Sequence, residues 1–381
     1  MDRLRSPAFW VAFAIALVLG AGIAIVQIDR QARGNAGLAS FVPVGVGGFA
    51  DEQRARLALA TDPVSAEPYV KSVVARRPVD VSHLSHLAIW AAEAGEMDLA
   101  ARTLTEASRR GWRDTFVQVS VLGSAAAEGN LEAATQRLDA LARFQADPAI
   151  LMRALDIMLT LDGAEANIAA QVGQSEYLKD VLVDYARERP QAGSDVASIV
   201  GELERQGVSI DCLRRAEIVR SMLQRGNPEA RGTWGSECGT ATSRELSFTF
   251  GEDKENPFRW TFRSEAGLSA RPGKEPGSLT ISNRKLVEKM GAWRFLALPP
   301  GSHTLAVEKT EQGIRTIADR RPADFEIAMA CLGEGGGTAA ILGRTSEPGS
   351  FTFRVPDNCP TQQLRVLLGR GRVENLRLSL G

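Results

Sequence analysis

The pattern of hydrophobic and polar positions changes twice along the chain and divides it into three parts. The first part is an apolar run, AFWVAFAIALVLGAGIAIVQI at residues 8–28, in which Gln27 is the only polar side chain. As a helix rising about 1.5 Å per residue, this run would cross the roughly 30 Å hydrocarbon core of a membrane. It exceeds the roughly 7 to 15 apolar residues of a cleaved signal peptide. We therefore predict an uncleaved transmembrane helix, with a cleaved signal as the alternative.

Charges on either side of the apolar run indicate its orientation. Arg3 and Arg5 precede it together with the amino terminus, and Arg30 and Arg33 follow it. The slight positive excess on the amino-terminal side predicts that residues 1–7 are cytoplasmic. Most basic residues are arginine, which suggests a GC-rich bacterial genome. We therefore expect a single-pass protein of the bacterial inner membrane whose bulk lies in the periplasm.

A helical pattern fills the second part of the chain, residues 53–236. It follows a glycine-rich segment, residues 29–52, that lacks a helical or strand period and is expected to be a flexible stalk. In the helical part, apolar residues recur at spacings of three and four. Gly95, Gly129 and Gly163 are spaced 34 residues apart, which indicates a repeated unit rather than a single hairpin.

Small and apolar positions repeat in the same register as these glycines. Ala100 and Ala134 each follow a glycine by five residues, and Leu104 and Leu138 come four residues later. This pattern resembles tetratricopeptide repeats, most clearly over residues 81–173. The resemblance implies pairs of antiparallel helices stacked as an α-solenoid, a kind of array that offers an extended concave surface for binding.

Short runs that alternate apolar and polar residues make up the third part, residues 245–381. Examples are FRWTF, SLTIS, HTLAVEK and SFTFRV, separated by turn sequences such as PPGS and PDN. Because no helical pattern intervenes, we predict an antiparallel, jelly-roll-like β-sandwich. PFRWTF, LALPPGSHTL and FRVPDNCPTQQLRVLL resemble segments of carbohydrate-binding sandwich modules. An anchor, helical repeats and a terminal sandwich, in this order, are similar to accessory proteins of exopolysaccharide systems.

The charge balance excludes one class of partner. The formal net charge is −1 at pH 7, and neither half of the chain has the basic excess that binding to a phosphate backbone requires. We therefore expect no nucleic-acid partner. No motif for a cofactor is present, and none is expected.

Four cysteines, Cys212, Cys238, Cys331 and Cys359, lie in the part predicted to be outside the cytoplasm. An even number suits an oxidising compartment. Four cysteines allow three connectivities, and the sequence-local one, which joins Cys212 to Cys238 and Cys331 to Cys359, is favoured. Buried free thiols are the alternative.

Two tryptophans are candidates for a glycan platform, because a sugar ring presents an apolar C–H face to a flat aromatic ring. Trp260 has Arg259 beside it, and Trp293 has Arg294. However, Trp260 alternates with two phenylalanines along one predicted strand, and such alternation is also typical of core residues. Burial in the core is the favoured interpretation for Trp260, and the balance is more even for Trp293.

No residues can be nominated for catalysis or for metal binding. His83 and His86 are three residues apart on a predicted helix, but no third ligand with suitable spacing follows. His303 has no obvious serine or aspartate partner for a hydrolytic triad. The acidic residues are scattered, so a carboxylate pair for glycoside hydrolysis cannot be identified from the sequence.

These patterns predict a non-enzymatic scaffold tethered to the inner membrane. Its solenoid would bind an envelope protein, and its β-sandwich would bind protein or glycan, in a setting such as polysaccharide biosynthesis or export. Two alternatives remain open at this stage: a glycan-active enzyme, and a polysaccharide-binding protein without protein partners.

Overall fold

A computed structural model describes residues 7–235, 237–239, 250, 254–308, 314–315, 325–333 and 336–380. Residues 1–6 of the predicted cytoplasmic segment and residues 245–249 of the predicted sandwich lie outside this description. The chain forms two compact units, Met1–Leu161 and Asp162–Gly381. The first unit is helical, and the second combines helices with antiparallel sheets. The predicted mixture of an apolar amino-terminal helix, further helices and a carboxyl-terminal antiparallel β region is confirmed.

The first unit begins with helix α1, Pro7–Ala32. Its segment Phe9–Ala32 has a mean hydropathy of 2.6, and its most apolar stretch is not covered by the rest of the chain. At about 1.5 Å per residue, this segment is longer than the hydrocarbon core of a membrane is thick. It is the one helix in the described ranges that is long and apolar enough to cross a membrane.

Hydrogen bonds to a carboxylate near the end of α1 hold the start of the next helix. Asp29 accepts hydrogen bonds from the backbone amides of Gly48, at 3.1 Å, and Ala50, at 2.8 Å, at the start of α2, Phe49–Thr61. An acidic side chain at this position satisfies amides that have no partner within the helix and complements the helix dipole. A short 3-10 turn, Ala36–Phe41, lies between the two helices. Residues 29–52, expected from composition to be a flexible stalk, therefore contain ordered helical elements.

Six further helices are described in the first unit. Aspartate or asparagine side chains cap the amino termini of α4, α6, α7 and α8, as these residue types commonly do. Neighbouring helices pack together, most extensively α4 with α5 and α6 with α7. The helices are α3 (Glu67–Arg76), α4 (Val81–Glu93), α5 (Met97–Arg110), α6 (Thr115–Ala127), α7 (Leu131–Arg143) and α8 (Pro148–Met158).

The three repeated glycines adopt the same backbone conformation. Gly95, between α4 and α5, has φ of 81°, and Gly129, between α6 and α7, has φ of 70°. Gly163, directly before the first helix of the second unit, has φ of 75°. A side chain at such a φ would be strained, which explains why glycine recurs at these turns. Four further repeat positions pack in the helices: Ala134 and Leu138 are fully buried, whereas Ala100 and Leu104 are partly buried.

The second unit starts with five helices. Their contacts link α9 to α10 and α11, α10 to α12, and α13 to both α11 and α12. All five belong to the same compact unit as the strands. The helices are α9 (Ala164–Gln174), α10 (Glu176–Glu188), α11 (Gly193–Arg205), α12 (Cys212–Gln224) and α13 (Ala230–Thr233).

Twelve strands are described after the helices, and all their pairings are antiparallel. The five-stranded sheet has the order β1-β5-β11-β8-β9, and the seven-stranded sheet has the order β10-β6-β12-β4-β3-β2, with β7 also paired to β12. The strands are β1 (Thr261–Phe262), β2 (Ser264–Glu265), β3 (Leu268–Pro272), β4 (Leu279–Asn283), β5 (Lys289–Leu296), β6 (Gly301–Glu308), β7 (Ile314–Arg315), β8 (Phe325–Leu332), β9 (Thr338–Thr345), β10 (Gly349–Val355), β11 (Gln362–Leu368) and β12 (Gly371–Leu380).

The two sheets share one hydrophobic core. It contains Ile281 and Leu305 from the seven-stranded sheet and Ile327 and Val366 from the five-stranded sheet, each with at most 1% of its surface exposed. Alternate residues on each strand enter this core. The arrangement is therefore a β-sandwich.

Helix α12 lies against the strand region through a buried arginine. The Arg220 guanidinium donates hydrogen bonds to the backbone oxygens of Pro257, at 3.1 Å, and Arg259, at 2.9 Å, and to the hydroxyl of Thr261. It also lies 5.7 Å from the ring centre of Phe295 on β5. Helix α12 thus contacts the five-stranded sheet, on the side opposite the shared core.

Both disulfides favoured by the sequence occur in the structure. Cys212 at the start of α12 is bonded to Cys238, and Cys331 on β8 is bonded to Cys359 before β11. The Cα atoms are 5.5 Å and 5.7 Å apart, respectively, a normal separation for a disulfide. The first bond ties α12 to the segment after α13, and the second ties β8 to the loop that precedes β11.

Candidate binding surfaces

Trp260 lies inside the sandwich. Only 5% of its surface is exposed, and its ring centre is 4.9 Å from that of Phe250. The guanidinium of Arg294, itself fully buried, lies 5.6 Å from the Trp260 ring centre. A ring covered in this way has no free face on which a sugar could stack.

Trp293 and Arg294 point to opposite faces of β5, because successive side chains on a strand alternate. Arg294 points toward the shared core, whereas Trp293 is half-buried on the outer face, opposite Thr261 and Arg365 of the neighbouring strands. The structure does not present these two neighbours as one platform. Glycan binding at Trp293 stays a prediction.

Arg259 is engaged within the protein rather than beside an open ring. Its guanidinium donates to the backbone oxygen of Lys254, at 3.1 Å, and forms an ion pair with Glu217 of α12. The residue therefore helps to hold α12 on the strand region.

His83 and His86 lie on α4 in the first unit. His83 is buried, and its Nε2 lies 3.7 Å from Oε2 of Glu52 on α2. Among the described residues, no group of three or more histidine, cysteine, aspartate or glutamate side chains could hold a metal ion.

His86 is expected to make the first unit sensitive to acid. Burial, with the nearby charges of Arg56 and His83, lowers its pKa below the usual 6.5, against the opposing effect of Glu52 and Asp114. Because the unfolded chain binds the proton more readily, the stabilising effect is present above about pH 6.5 and is lost as the pH falls toward the folded-state pKa. Hydrogen exchange in α4, corrected for the intrinsic rate, should therefore accelerate between pH 7.5 and pH 5.5.

A matched pair of variants tests this assignment. His86→Gln should reduce the acid-induced acceleration in α4, whereas His303→Gln, in the β region, should leave it unchanged. An unaltered pH response in His86→Gln would assign the effect to another group.

An exposed aromatic side chain lies on the helical surface of the first unit. Trp112, in the loop between α5 and α6, has 51% of its surface exposed. The guanidinium of Arg137 on α7 lies 4.3 Å from its ring centre. A shallow depression beside the ring, here called the Trp112 surface, is lined by Trp112, Arg113, Asp139, Ala140, Arg143 and Phe144.

Positive charge exceeds negative charge around the Trp112 surface. Arg143 is paired with Asp139 at 2.8 Å. Arg137 contacts Gln118 Oε1 at 3.3 Å, and partial burial lowers its pKa. Neither Arg137 nor Arg113 is paired with a carboxylate in the part of the chain that the structure describes. An exposed aromatic ring among arginines suits a partner that carries both an apolar anchor and acidic groups.

A second polar surface lies on the outer face of the seven-stranded sheet. A depression there is lined by Arg271 on β3, Arg284 after β4 and Arg372 on β12, together with hydroxyl side chains. Here it is called the arginine face, defined by Arg271, Arg284, Arg372, Ser269, Thr280 and Ser282.

Carboxylates approach one another at a third place, on the helices of the second unit. Burial raises the pKa of Asp195, and the charges of Glu165 and Glu229 raise it further. Glu229 also lines a shallow cleft with Glu204 and Thr233. Asp195 itself does not line this cleft. A carboxyl with a raised pKa can act as a general acid, so Asp195 is the residue at which the alternative enzymatic function is tested.

Sequence reasoning missed the Trp112 surface and the arginine face. A signal for the first was present: Trp112 lies between Gly111 and Arg113, in a loop of the helical region. A signal for the second was the alternation of Ser269 and Arg271 with apolar residues. Neither pattern shows which residues of other helices or strands lie beside it.

Comparison with known proteins does not identify a family. No family model matches the sequence, and no curated protein matches it. Among solved structures, the chain is similar to a crystal structure of accessory secretory proteins 1, 2 and 3 in Streptococcus pneumoniae. The match has 12% sequence identity and a TM-score of 0.21, and it covers 30% of this chain and 86% of that chain. A likeness this weak carries no argument about the fold or the function.

Proposed function

We propose that the protein is a non-enzymatic scaffold of the bacterial envelope, tethered by α1 to the inner membrane with its bulk in the periplasm. In this proposal the helices form a tetratricopeptide-like array that binds an acidic segment of a protein partner. The β-sandwich, resembling carbohydrate-binding modules, binds a further ligand of a polysaccharide biosynthesis or export system.

The observation that carries this proposal is the Trp112 surface. A large exposed aromatic ring is costly to leave in water and is typical of residues that dominate protein interfaces. The guanidinium groups of Arg113 and Arg137, which have no carboxylate partner among the described residues, favour a partner segment that contains aspartate or glutamate. Such charges mainly accelerate association and select the partner, while burial of the Trp112 ring slows dissociation.

The membrane anchor contributes by raising local concentration. Two modules on one tethered chain meet the components of a membrane complex at a high effective concentration, without any additional contact between them. In this mechanism the protein assembles a complex rather than catalysing a reaction, so it needs no catalytic residue.

Photocrosslinking tests the protein-binding proposal. A photoreactive amino acid placed at Phe116, which is 38% exposed and follows Trp112 by four residues, should form a discrete adduct with one envelope protein in intact cells. Trp112→Ala should weaken binding of that purified partner at least tenfold, about 1.4 kcal/mol, as measured by titration of the full-length protein in nanodiscs.

Leu57 provides the matched control. Its side chain is 64% exposed on α2, so Leu57→Ala should leave the affinity within a factor of two. Crosslinking at Phe116 that gives no adduct, or a partner whose affinity is the same for Trp112→Ala and wild type, would contradict the proposal.

A glycan-active enzyme is the second candidate, and the observation that favours it is the grouping of Asp195 with Glu165 and Glu229, whose charges add to burial in raising the Asp195 pKa. Release of new reducing ends from a surface polysaccharide, abolished by Asp195→Asn but retained in Asp184→Asn, would establish that function instead. A polysaccharide-binding protein without a protein partner would show no adduct at Phe116 and would still retain glycan.

A further inference from the structure

The arginine face is built from three neighbouring strands whose registers bring its residues together. Ser269 on β3 lies opposite Ser282 on β4, which in turn lies opposite Arg372 on β12. Arg271 on β3 lies opposite Thr280 on β4. With strands about 4.8 Å apart, these side chains form one continuous polar surface rather than scattered positions.

Positive charge dominates this surface. Of the charged residues that line it, Arg271, Arg284 and Arg372 are positive, and Glu265 is negative. Glu265 is compensated by Lys285, at 3.1 Å, and Arg263, at 3.2 Å, which lie beside it.

The arginines of the face differ in their partners. Arg372 is paired with Glu374 at 2.5 Å. Within the described residues, Arg271 and Arg284 are exposed and have no carboxylate partner. Two guanidinium groups are thus available to a negatively charged ligand.

We infer that the arginine face binds an acidic polysaccharide. Carboxylates of the polymer pair with Arg271 and Arg284, whose planar guanidinium groups can bind a carboxylate through two parallel hydrogen bonds. Hydroxyls of the polymer exchange hydrogen bonds with Ser269, Thr280 and Ser282. The inference rests on the proposed function, and it deepens it by naming the ligand class and the residues of the β-sandwich.

No residue that lines the depression offers an exposed apolar anchor, which favours a polysaccharide over an acidic protein segment. The apolar residue that lines the depression, Leu268, is 2% exposed and points into the sandwich core. Protein interfaces normally centre on buried aromatic or aliphatic anchors. A hydrophilic depression lined by hydroxyls and guanidinium groups instead matches a ligand rich in hydroxyls and carboxylates.

The location within the second unit supports the same conclusion. Helix α12 contacts the five-stranded sheet through Arg220. The arginine face lies on the other sheet, and its arginine side chains are exposed. A long, flexible polymer can therefore lie along these strands without displacing any part of this unit that the structure describes.

Binding of polygalacturonate to the full-length protein in nanodiscs tests the inference. Wild type should retain polygalacturonate but not the neutral polymer pullulan, and added salt should weaken the binding. Arg271→Gln/Arg284→Gln should weaken it at least tenfold. Ser269→Trp, which fills the depression and keeps every charge, should have a similar effect. Circular dichroism checks that each variant is folded.

A charge-matched control separates a defined site from general attraction. Arg205→Gln/Arg344→Gln also removes two positive charges from the second unit, at side chains that are 74% and 60% exposed, and should change the affinity less than twofold. Equal losses in both double variants, or wild-type binding in Ser269→Trp, would overturn the inference. Equally tight binding of polyglutamate would also overturn it, by assigning the face to an acidic polypeptide.

Failure of this inference is distinguishable from failure of the proposed function. Trp112→Ala should bind polygalacturonate like wild type, and Arg271→Gln/Arg284→Gln should still form the Phe116 adduct. Wild-type protein that binds polygalacturonate but gives no Phe116 adduct would overturn only the protein-binding proposal. A Phe116 adduct without polygalacturonate binding would overturn only this inference.

Discussion

Replacing Arg220 with methionine is expected to lower the free energy of unfolding of the second unit by about 3 kcal/mol. Burial lowers the pKa of Arg220 to about 10, so the side chain remains charged at neutral pH. Its guanidinium donates hydrogen bonds to the backbone oxygens of Pro257 and Arg259 and to the hydroxyl of Thr261. Methionine fills similar space but leaves these acceptors without a donor. Urea titration of the full-length protein in detergent, followed by tryptophan fluorescence, measures the loss.

Arg205→Met is the matched control for this variant. Arg205 also lies on a helix of the second unit, but its side chain is 74% exposed and, among the described residues, is paired with Glu202. Exposed ion pairs contribute at most about 1 kcal/mol, so the urea midpoint should scarcely move. A loss below 1 kcal/mol in Arg220→Met would mean that water or a rearranged strand replaces the guanidinium.

Removing the Cys331–Cys359 disulfide is expected to lower the free energy of unfolding of the second unit by about 3 to 4 kcal/mol, by the chain-entropy estimate for a loop of this length. The two cysteines are 28 residues apart, and the bond restricts the unfolded chain over that distance. Both residues are buried, at 5% and 1% exposure. The double variant Cys331→Ala/Cys359→Ala should therefore shift the urea midpoint of the second unit substantially while keeping its α and β content.

Thiol titration provides the accompanying test. Protein denatured without reductant should show no free thiols in wild type and none in the double variant, because the Cys212–Cys238 bond is independent. Four reactive thiols in protein isolated from the envelope would contradict both disulfides and the periplasmic location together.

The helical turns were predictable because their determinants are local. Gly95 and Gly129 lie at turns between successive helices, where the chain needs a positive φ, and this requirement is visible as a repeat in the sequence. The buried positions of Ala134 and Leu138 follow from the same period. A period of this kind records the packing of adjacent helices, which are close in sequence.

The segment before α2 shows where composition misleads. Small and glycine residues between 33 and 48 lack any period, and this suggested a flexible stalk. Instead, the carboxylate of Asp29 caps α2 across about 20 residues of chain. The guanidinium groups of Arg54 and Arg76 also donate hydrogen bonds to backbone oxygens between residues 39 and 46. Side chains from outside a segment can order it although its own composition favours disorder, and no local pattern reveals this.

The candidate sites were harder to predict than the elements that carry them. Trp260 and Trp293 were both reasonable glycan platforms by residue type. In the structure, Trp260 lies in the core and Trp293 is half-buried. Alternation along a strand shows that two faces differ, but it does not show which of them the rest of the molecule covers.

The sequence by itself determined the apolar amino-terminal helix, the helical part that follows it, the antiparallel strands and a preferred cysteine pairing. Each of these depends on residues that are close along the chain or on a regular period. Only the tertiary structure decided that helix α12 lies on the five-stranded sheet and that Arg271, Arg284 and Arg372 meet on an exposed face of the other. The physical reason is that burial of a sheet face depends on packing between distant segments, whereas helix and strand periods depend on local backbone geometry.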